Sequence, residues 1–363
     1  MKTPPTGRTT RPGRTLEDVG AALRGTSALR PRRFRVSRRL RFRAGHSLSF
    51  MAVGAVALLV GRGWSQQPLP LAVLPDASTE VAFPAKGLPI EVNGRVEKWM
   101  KRFMTDQKPS FQLFLGREGI YEDLIRDKLK DRGMPEDLLY LAMIESGYSP
   151  KATSKVSAAG VWQFMGPTAL QYGLRVDEWV DERRDPVKAT DAALDYLDFL
   201  HGRYDSWYLA AAAYNAGPAR VDRALKRHLI GAGEPLPAGR VGDQDIYWEI
   251  IDHLPRETRE YVPKILAATA LSRQAERYGF KVKAGIPYVY DRVWVPGATS
   301  LSKVAKSLGV ATRTMREMNP HLVMGWTPPG SAYGLRVPKG SSDQAIAALG
   351  GLPDALPGAA PTD

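Results

Sequence analysis

Glu145 is the residue most suited to acid chemistry in this chain. It ends the mostly apolar run Leu138-Leu-Tyr-Leu-Ala-Met-Ile144 and stands two residues before Gly147. That pattern predicts a carboxyl at a helix C-terminus, half surrounded by apolar side chains. Partial burial disfavours the anion, and the negative end of the helix dipole repels it, so both raise the pKa. A carboxyl that stays protonated near neutral pH can act as a general acid. An exposed glutamate in a last helical turn fits the same residues, at a cost of roughly a few tenths of a kcal/mol. Two other short stretches could accompany it. Gly160-Val-Trp-Gln-Phe-Met165 sets the Gln163 amide between Trp162 and Phe164, and Ala213-Tyr-Asn-Ala-Gly217 sets Tyr214 and Asn215 beside a glycine. Aromatic faces next to hydrogen-bonding groups suit a sugar ring. Trp162 and Tyr214 also read as ordinary core residues. No second carboxylate has a motif of its own. Asp177, Glu178, Asp181 and Glu182 lie beside Arg183 and Arg184 and read as a solvated, ion-paired loop.

Helices must position these groups. Ile120, Leu124, Ile125 and Leu129 recur at helical spacing up to Gly133. Pro135-Glu136-Asp137 suits the first turn of the helix that ends at Gly147. Further helices are predicted over about 186–200, from a Ser206 cap to Tyr214, and over about 219–226. A loop follows at 228–244, then a helical stretch over 243–278, interrupted near Leu254-Pro255 and at Pro263. The pattern changes at Pro287. A strand near 288–295, helices near 301–308 and 312–319, and a strand at 334–337 make a β-α-α-β unit, and a Pro/Gly-rich tail at 340–363 is expected to be disordered.

The formal net charge of +13 is concentrated at one end: in residues 1–63 Lys and Arg outnumber acids fourteen to two, so the rest is nearly neutral. A basic nucleic-acid-binding body is therefore not supported, and no nucleic-acid partner is expected. Eight arginines between 30 and 43 precede the apolar stretch 48–60. A basic flank before a short apolar core reads as an export signal, either cleaved or kept as a membrane tether. The stretch is short against the ~20 residues of a span. Residues 64–90 read as a linker. Cysteine is absent, which excludes disulfides, thiol nucleophiles, cysteine-ligated zinc and anchoring through an N-terminal lipid-bearing cysteine. Five scattered histidines leave little scope for a metal site, and no metal or organic cofactor is expected.

The stretches Glu145-Ser146-Gly-Tyr, Ala158-Ala-Gly-Val-Trp-Gln163-Phe-Met and Ala213-Tyr-Asn-Ala-Gly, in this order, resemble the catalytic domain of the soluble-type lytic transglycosylases, relatives of glycoside hydrolase family twenty-three. Val176–Pro186 and Leu254–Ala267 resemble a membrane-bound subgroup. The likeness runs over about half the chain, in a domain placed at 91–278. It implies a mainly α protein: a lysozyme-like helical catalytic domain, then the small unit at 287–339, which resembles a LysM module. It also implies that Glu145 is the sole catalytic acid and Ser146 its supporting neighbour. Gln163, Tyr214 and Asn215 would bind substrate, and Tyr261 would face Glu145. Gly166 stands where the family more often has proline, and Ala298 where LysM modules commonly have aspartate.

The implied reaction is cleavage of the β-1,4 bond between MurNAc and GlcNAc in peptidoglycan, leaving a 1,6-anhydro-MurNAc end, in the periplasm. A lysozyme that uses water and a non-catalytic wall-binding protein are the alternatives. The LysM-like unit is read either as a glycan binder or as a part that packs on the helical domain, with Tyr288, Tyr290, Trp294 and Trp326 as its apolar face.

Overall fold

A computed structural model of the chain describes residues 87–232 and 244–349. The basic segment, the apolar stretch 48–60 and nearly all of the 64–90 linker lie outside the described residues. Among those described, no helix is long and apolar enough to cross a membrane.

The protein is mainly α. Helix α1 (Gly94–Met104) begins where the Asn93 side chain accepts from the Arg95 and Val96 N–H groups. It buries Val96, Trp99, Met100 and Phe103, one face at helical spacing. Helix α2 (Lys108–Asp131) is longer than its apolar run suggests and ends before Gly133. After a 3₁₀ turn at Glu136–Leu138 comes the short α3 (Leu139–Ser146), whose first five residues are all buried. Helices α4 (Gly166–Gln171), α5 (Pro186–Tyr204), α6 (Trp207–Ala216), α7 (Pro218–Ala232), α8 (Asp245–Ile250) and α9 (Arg256–Arg273) follow. Ser206 caps α6 as expected, accepting from the Leu209 N–H. Helix α9 packs against α1, α3 and α6 and is the centre of the large core.

Three expectations need correction. Pro263 does not interrupt its helix, and α9 runs through it. A proline lacks the N–H that would bond the carbonyl four residues back. Here the Tyr247 hydroxyl donates toward that Arg259 carbonyl at 3.4 Å and toward the Thr258 carbonyl at 3.3 Å, which compensates for the missing bond. Helix α7 also extends to Ala232, into the expected loop. Finally, only the first half of the acidic loop, where Asp177 and Glu178 are exposed, is solvated. Asp181 and Glu182 are buried, the first bonded to Arg183 at 2.8 Å and the second to Lys188 at 2.7 Å.

The C-terminal unit is built as read. Strand β1 (Tyr290–Val295) pairs antiparallel with β2 (Tyr333–Pro338), in a register that sets Asp291 opposite Val337 and Trp294 opposite Gly334. Between them lie α10 (Leu301–Ser307) and α11 (Thr312–Met318). A further helix, α12 (Ser342–Ala348), occupies the start of the expected tail, because Ala345 is buried in the small core. Residues 350–363 lie outside the described residues.

This unit is welded to the helical part. Val180, from the loop before α5, belongs to the small core. The Asp181 N–H donates to the His321 carbonyl at 2.9 Å, and the Val323 N–H to the Trp179 carbonyl at 3.2 Å. Beneath them Arg336 Nη2 meets both oxygens of Asp185 at 2.8 and 2.7 Å, with both residues almost wholly buried. Asp185 also caps α5 through the Val187 and Lys188 N–H groups. Burial pulls its carboxyl upward, but Arg336 and the neighbouring donors outweigh it and the pKa is lowered. His321, 3.4 Å from Asp185, is pushed down to about 4 by burial and is neutral at ordinary pH. Of the four aromatics, Tyr288 and Tyr290 lie against Arg336, while Trp294 and Trp326 are 42% and 46% exposed.

Breaking a buried pair from one side strands a charge. Arg336→Met is expected to cost about 3–5 kcal/mol of stability. The double change Asp185→Asn and Arg336→Met keeps an oxygen for the α5 cap, removes the stranded anion and should recover most of that loss. Urea denaturation of the four proteins of the cycle measures it, and additive losses would show that the pair is not coupled.

Candidate active site

Glu145 sits in the last turn of α3, and the way that helix ends explains how the site is built. Gly147 takes a left-handed conformation at φ 57°, and its N–H donates to the Met143 carbonyl at 2.8 Å. A side chain there would meet the Phe114 ring at 2.2 Å, so only glycine lets α2 come this close. Ser146 fixes the other side of the turn. Its hydroxyl donates to the Val161 carbonyl at 2.8 Å and accepts from the Ser149 N–H at 3.0 Å. The serine thereby ties the end of α3 to the segment that carries Gln163.

That segment is a tight turn. Gln163 has a positive φ of 49°, unusual for a residue with a side chain, and its amide donates back to the Gly160 carbonyl at 2.9 Å. The Ala159 and Phe164 N–H and carbonyl groups bond reciprocally at 3.1 Å across it. At Gly160, φ 84°, a Cβ would lie 1.6 Å from the Arg183 carbonyl oxygen. Arg183 in turn donates to the Ser157 carbonyl at 2.8 Å and to the Phe164 carbonyl at 3.3 Å. The second half of the acidic loop is thus the buttress of the Gln163 turn.

Tyr261, from the second turn of α9, donates to Glu145 Oε1 at 2.6 Å. Among the described residues no hydrogen bond reaches the other carboxyl oxygen. Glu145 keeps a partial opening to solvent, but its surroundings are crowded. Burial pushes its pKa up to about 7; the Tyr261 hydrogen bond and Lys264 pull it down, and Glu257 adds to the rise. Tyr214 donates to the Trp162 carbonyl at 2.9 Å, and Asn215 Oδ1 accepts from the Thr258 hydroxyl at 2.9 Å. Ring centroids step from Phe164 to Tyr214 (6.3 Å), Tyr196 (5.3 Å) and Tyr172 (5.0 Å), a half-open aromatic wall.

The structure therefore brings Glu145, Ser146, Tyr214, Asn215 and Tyr261 into one hydrogen-bonded site, with the Gln163 turn tied to it through Val161 and Trp162. Trp162 is a core residue: it is fully buried and donates to Thr190 at 2.9 Å. Sequence reading missed Glu257, Thr258 and Lys264. Their spacing of three and four from Tyr261 would have put them on one face of its helix. It also missed Tyr172 and Tyr196, for which the sequence holds no signal. Among the described residues no group of three or more His, Asp or Glu side chains is arranged to hold a metal.

Residues 123–232 match the transglycosylase SLT domain, and residues 289–353 match the LysM-like domain of lytic transglycosylase MltD. The chain is 30% identical over 257 residues to membrane-bound lytic murein transglycosylase D of Escherichia coli (strain K12), covering 70% of this chain and 54% of that protein. It is 30% identical over 159 residues to the soluble lytic murein transglycosylase of the same organism, covering 42% of this chain and 23% of that one. The crystal structure of the 70 kDa soluble lytic transglycosylase from Escherichia coli shares 26% identity over 43% of this chain and 24% of that one, with a TM-score of 0.34. The chain spans about half the length of the curated relative with which it shares the longest stretch here.

A carboxyl whose pKa is raised by folding binds its proton more tightly in the folded chain. Stability is then full below the unfolded value near 4.5 and falls as pH rises toward 7. Glu145→Gln removes the charge and keeps an acceptor for Tyr261. The variant is expected to be more stable than the parent at pH 8, by roughly 2 kcal/mol, with the gap closing below pH 4.5. Melting temperatures of both proteins across that range check it, and a constant gap would contradict the burial of the charge.

Proposed function

We propose that this chain is a peptidoglycan lytic transglycosylase that cleaves the β-1,4 bond between MurNAc and GlcNAc with one glutamate acting first as acid, then as base. The observation that carries the reading is Glu145 itself: a carboxyl near pKa 7, held by Tyr261 through one oxygen, beside an aromatic wall. The unbonded oxygen gives its proton to the departing glycosidic oxygen. The resulting carboxylate, stabilised by the Tyr261 hydroxyl and by Lys264, then takes the proton of the C6 hydroxyl of the same sugar. That hydroxyl attacks C1 and closes the 1,6-anhydro ring. Glycosidases ordinarily use two carboxylates. Here the 2-acetamido group of the substrate can support the positive charge at C1, and the attacking group belongs to the sugar.

Ser146 and the Gln163 turn hold the floor of the cleft in this reading, and Tyr214 and Asn215 its side. Export across the inner membrane by way of the N-terminal segment would place the enzyme with its substrate. A second reading, a hydrolase of lysozyme type, is favoured by one observation: Glu257 lies near enough to raise the Glu145 pKa, and a second carboxylate could activate water.

Mass spectrometry of digested sacculi separates the two, with anhydro ends expected for the first and reducing ends for the second. Glu145→Gln should lower turnover on the order of 10²–10⁴-fold or more. Glu257→Gln should leave most turnover intact; its collapse, with reducing ends in the parent digest, would favour hydrolysis. The rate at low substrate should fall above about pH 7 as Glu145 loses its proton. Tyr261→Phe removes a donor to the carboxylate, so that limb should move to higher pH while the rate drops by roughly ten- to a hundredfold. A pH–rate profile reads both effects.

A further inference from the structure

A concavity of about 450 Å³ lies between α7 and the turn that leads into α9. Arg220, Arg223 and Arg227 line it from α7, Arg259 from α9, and Asp252 and His253 from the turn. The three α7 arginines recur at spacings of three and four, so they share one face of the helix. Like charges so placed weaken a helix unless something anionic offsets them. Two of the four guanidinium groups are anchored by carbonyls. Arg220 donates to Ala216 at 2.6 Å, and Arg259 to Leu254 and Asp252 at 2.8 and 2.7 Å. Asp252 is the one acid lining the pocket, and it is already shared by Arg95 at 3.4 Å and Arg259 at 3.5 Å. Among the described residues, neither Arg223 nor Arg227 has an acidic partner.

The position of the pocket relates it to the site. Ala216, which Arg220 grips, follows Asn215. Leu254 and Pro255, in the pocket wall, lead into the helix whose Thr258 binds Asn215 and whose Tyr261 binds Glu145. The lining differs in kind from the cleft: it has no tyrosine or tryptophan on which a sugar ring could lie, and an excess of guanidinium groups. A planar guanidinium matches a carboxylate with two parallel hydrogen bonds.

We propose that this pocket recognises carboxylates on the peptide side branches of the glycan strand, so that strands bearing peptides are bound in preference to bare ones. The inference rests on the peptidoglycan reading and adds to it a preference among substrates. Arg223 and Arg227 supply the attraction, and Arg220 and Arg259 keep the pocket's walls attached to the two helices of the site. Because these groups are exposed, the attraction is screened by salt.

The test uses the full chain carrying Glu145→Gln, so that binding is read without turnover, with and without Arg223→Gln and Arg227→Gln together. The probes are murein glycan strands with peptides intact, the same strands stripped by an amidase, and phosphatidylglycerol vesicles. The arginine changes lie on an exposed helix face and should leave the melting temperature unchanged. They are expected to weaken binding to peptide-bearing strands about fivefold, less at high salt, and to leave binding to stripped strands as it was. The same split should appear in kcat/KM when Glu145 is present. Equal weakening on both strand types, no weakening on either, or weakening on vesicles alone would overturn the assignment. If the protein with Glu145 cleaves both strands while the variants show no split, the pocket assignment alone fails. If it cleaves neither, the peptidoglycan reading fails and takes this inference with it.

Discussion

Removing one carboxyl from water is the constraint around which the helical unit is arranged. Glu145 keeps a partial opening to solvent and is still surrounded closely enough to hold its proton near neutrality. A short helix buried along its first five residues, ended by a glycine pressed against Phe114, meets both demands. The central helix then has to pass close by, since it supplies the only hydroxyl bonded to the carboxyl among the described residues. This carries a cost in stability whenever the group is ionised, and the large apolar core packed around α9 offsets it.

Burial alone does not decide the fate of an acid in this protein. Glu145, with one hydroxyl donor, is pushed up to about 7. Asp185 is more deeply enclosed, yet its pKa is lowered, because Arg336 reaches both its oxygens and two backbone N–H groups donate to Oδ1. Glu118, also raised to about 7, lies beneath α3 against Tyr140, buried in the core. A raised pKa therefore points to a site only where an unbonded oxygen also has an opening to solvent.

Much of this was legible in the residues. The end of α3, the Ser206 cap and the β-α-α-β order depend on local chemistry: glycine at positive φ, a hydroxyl at a helix start, alternation in strands. The likeness to a known family added the expected roles of Ser146, Gln163 and Tyr261, which spacing does not show. Other features depended on partners distant in sequence. Nothing near Pro263 says that Tyr247 will compensate for its missing N–H. Nothing in the acidic loop says that Val180 will enter the core of a domain more than a hundred residues later. The loop looked solvated because charged residues usually are; its second half is buried because Arg183 and Arg184 meet Asp181 and Lys188 meets Glu182.

The Asp185–Arg336 contact also bears on inheritance. Small C-terminal modules are commonly thought of as cassettes, gained, lost or exchanged without injury to their neighbours. A chain that exchanged this one would leave an anion sealed at the head of α5 without its guanidinium, next to the buttress of the Gln163 turn. The cut that looks clean in the sequence near Pro287 thus runs through a shared interior. Exchange at that seam would have to replace the aspartate in the same event, so the two halves should have travelled together through descent.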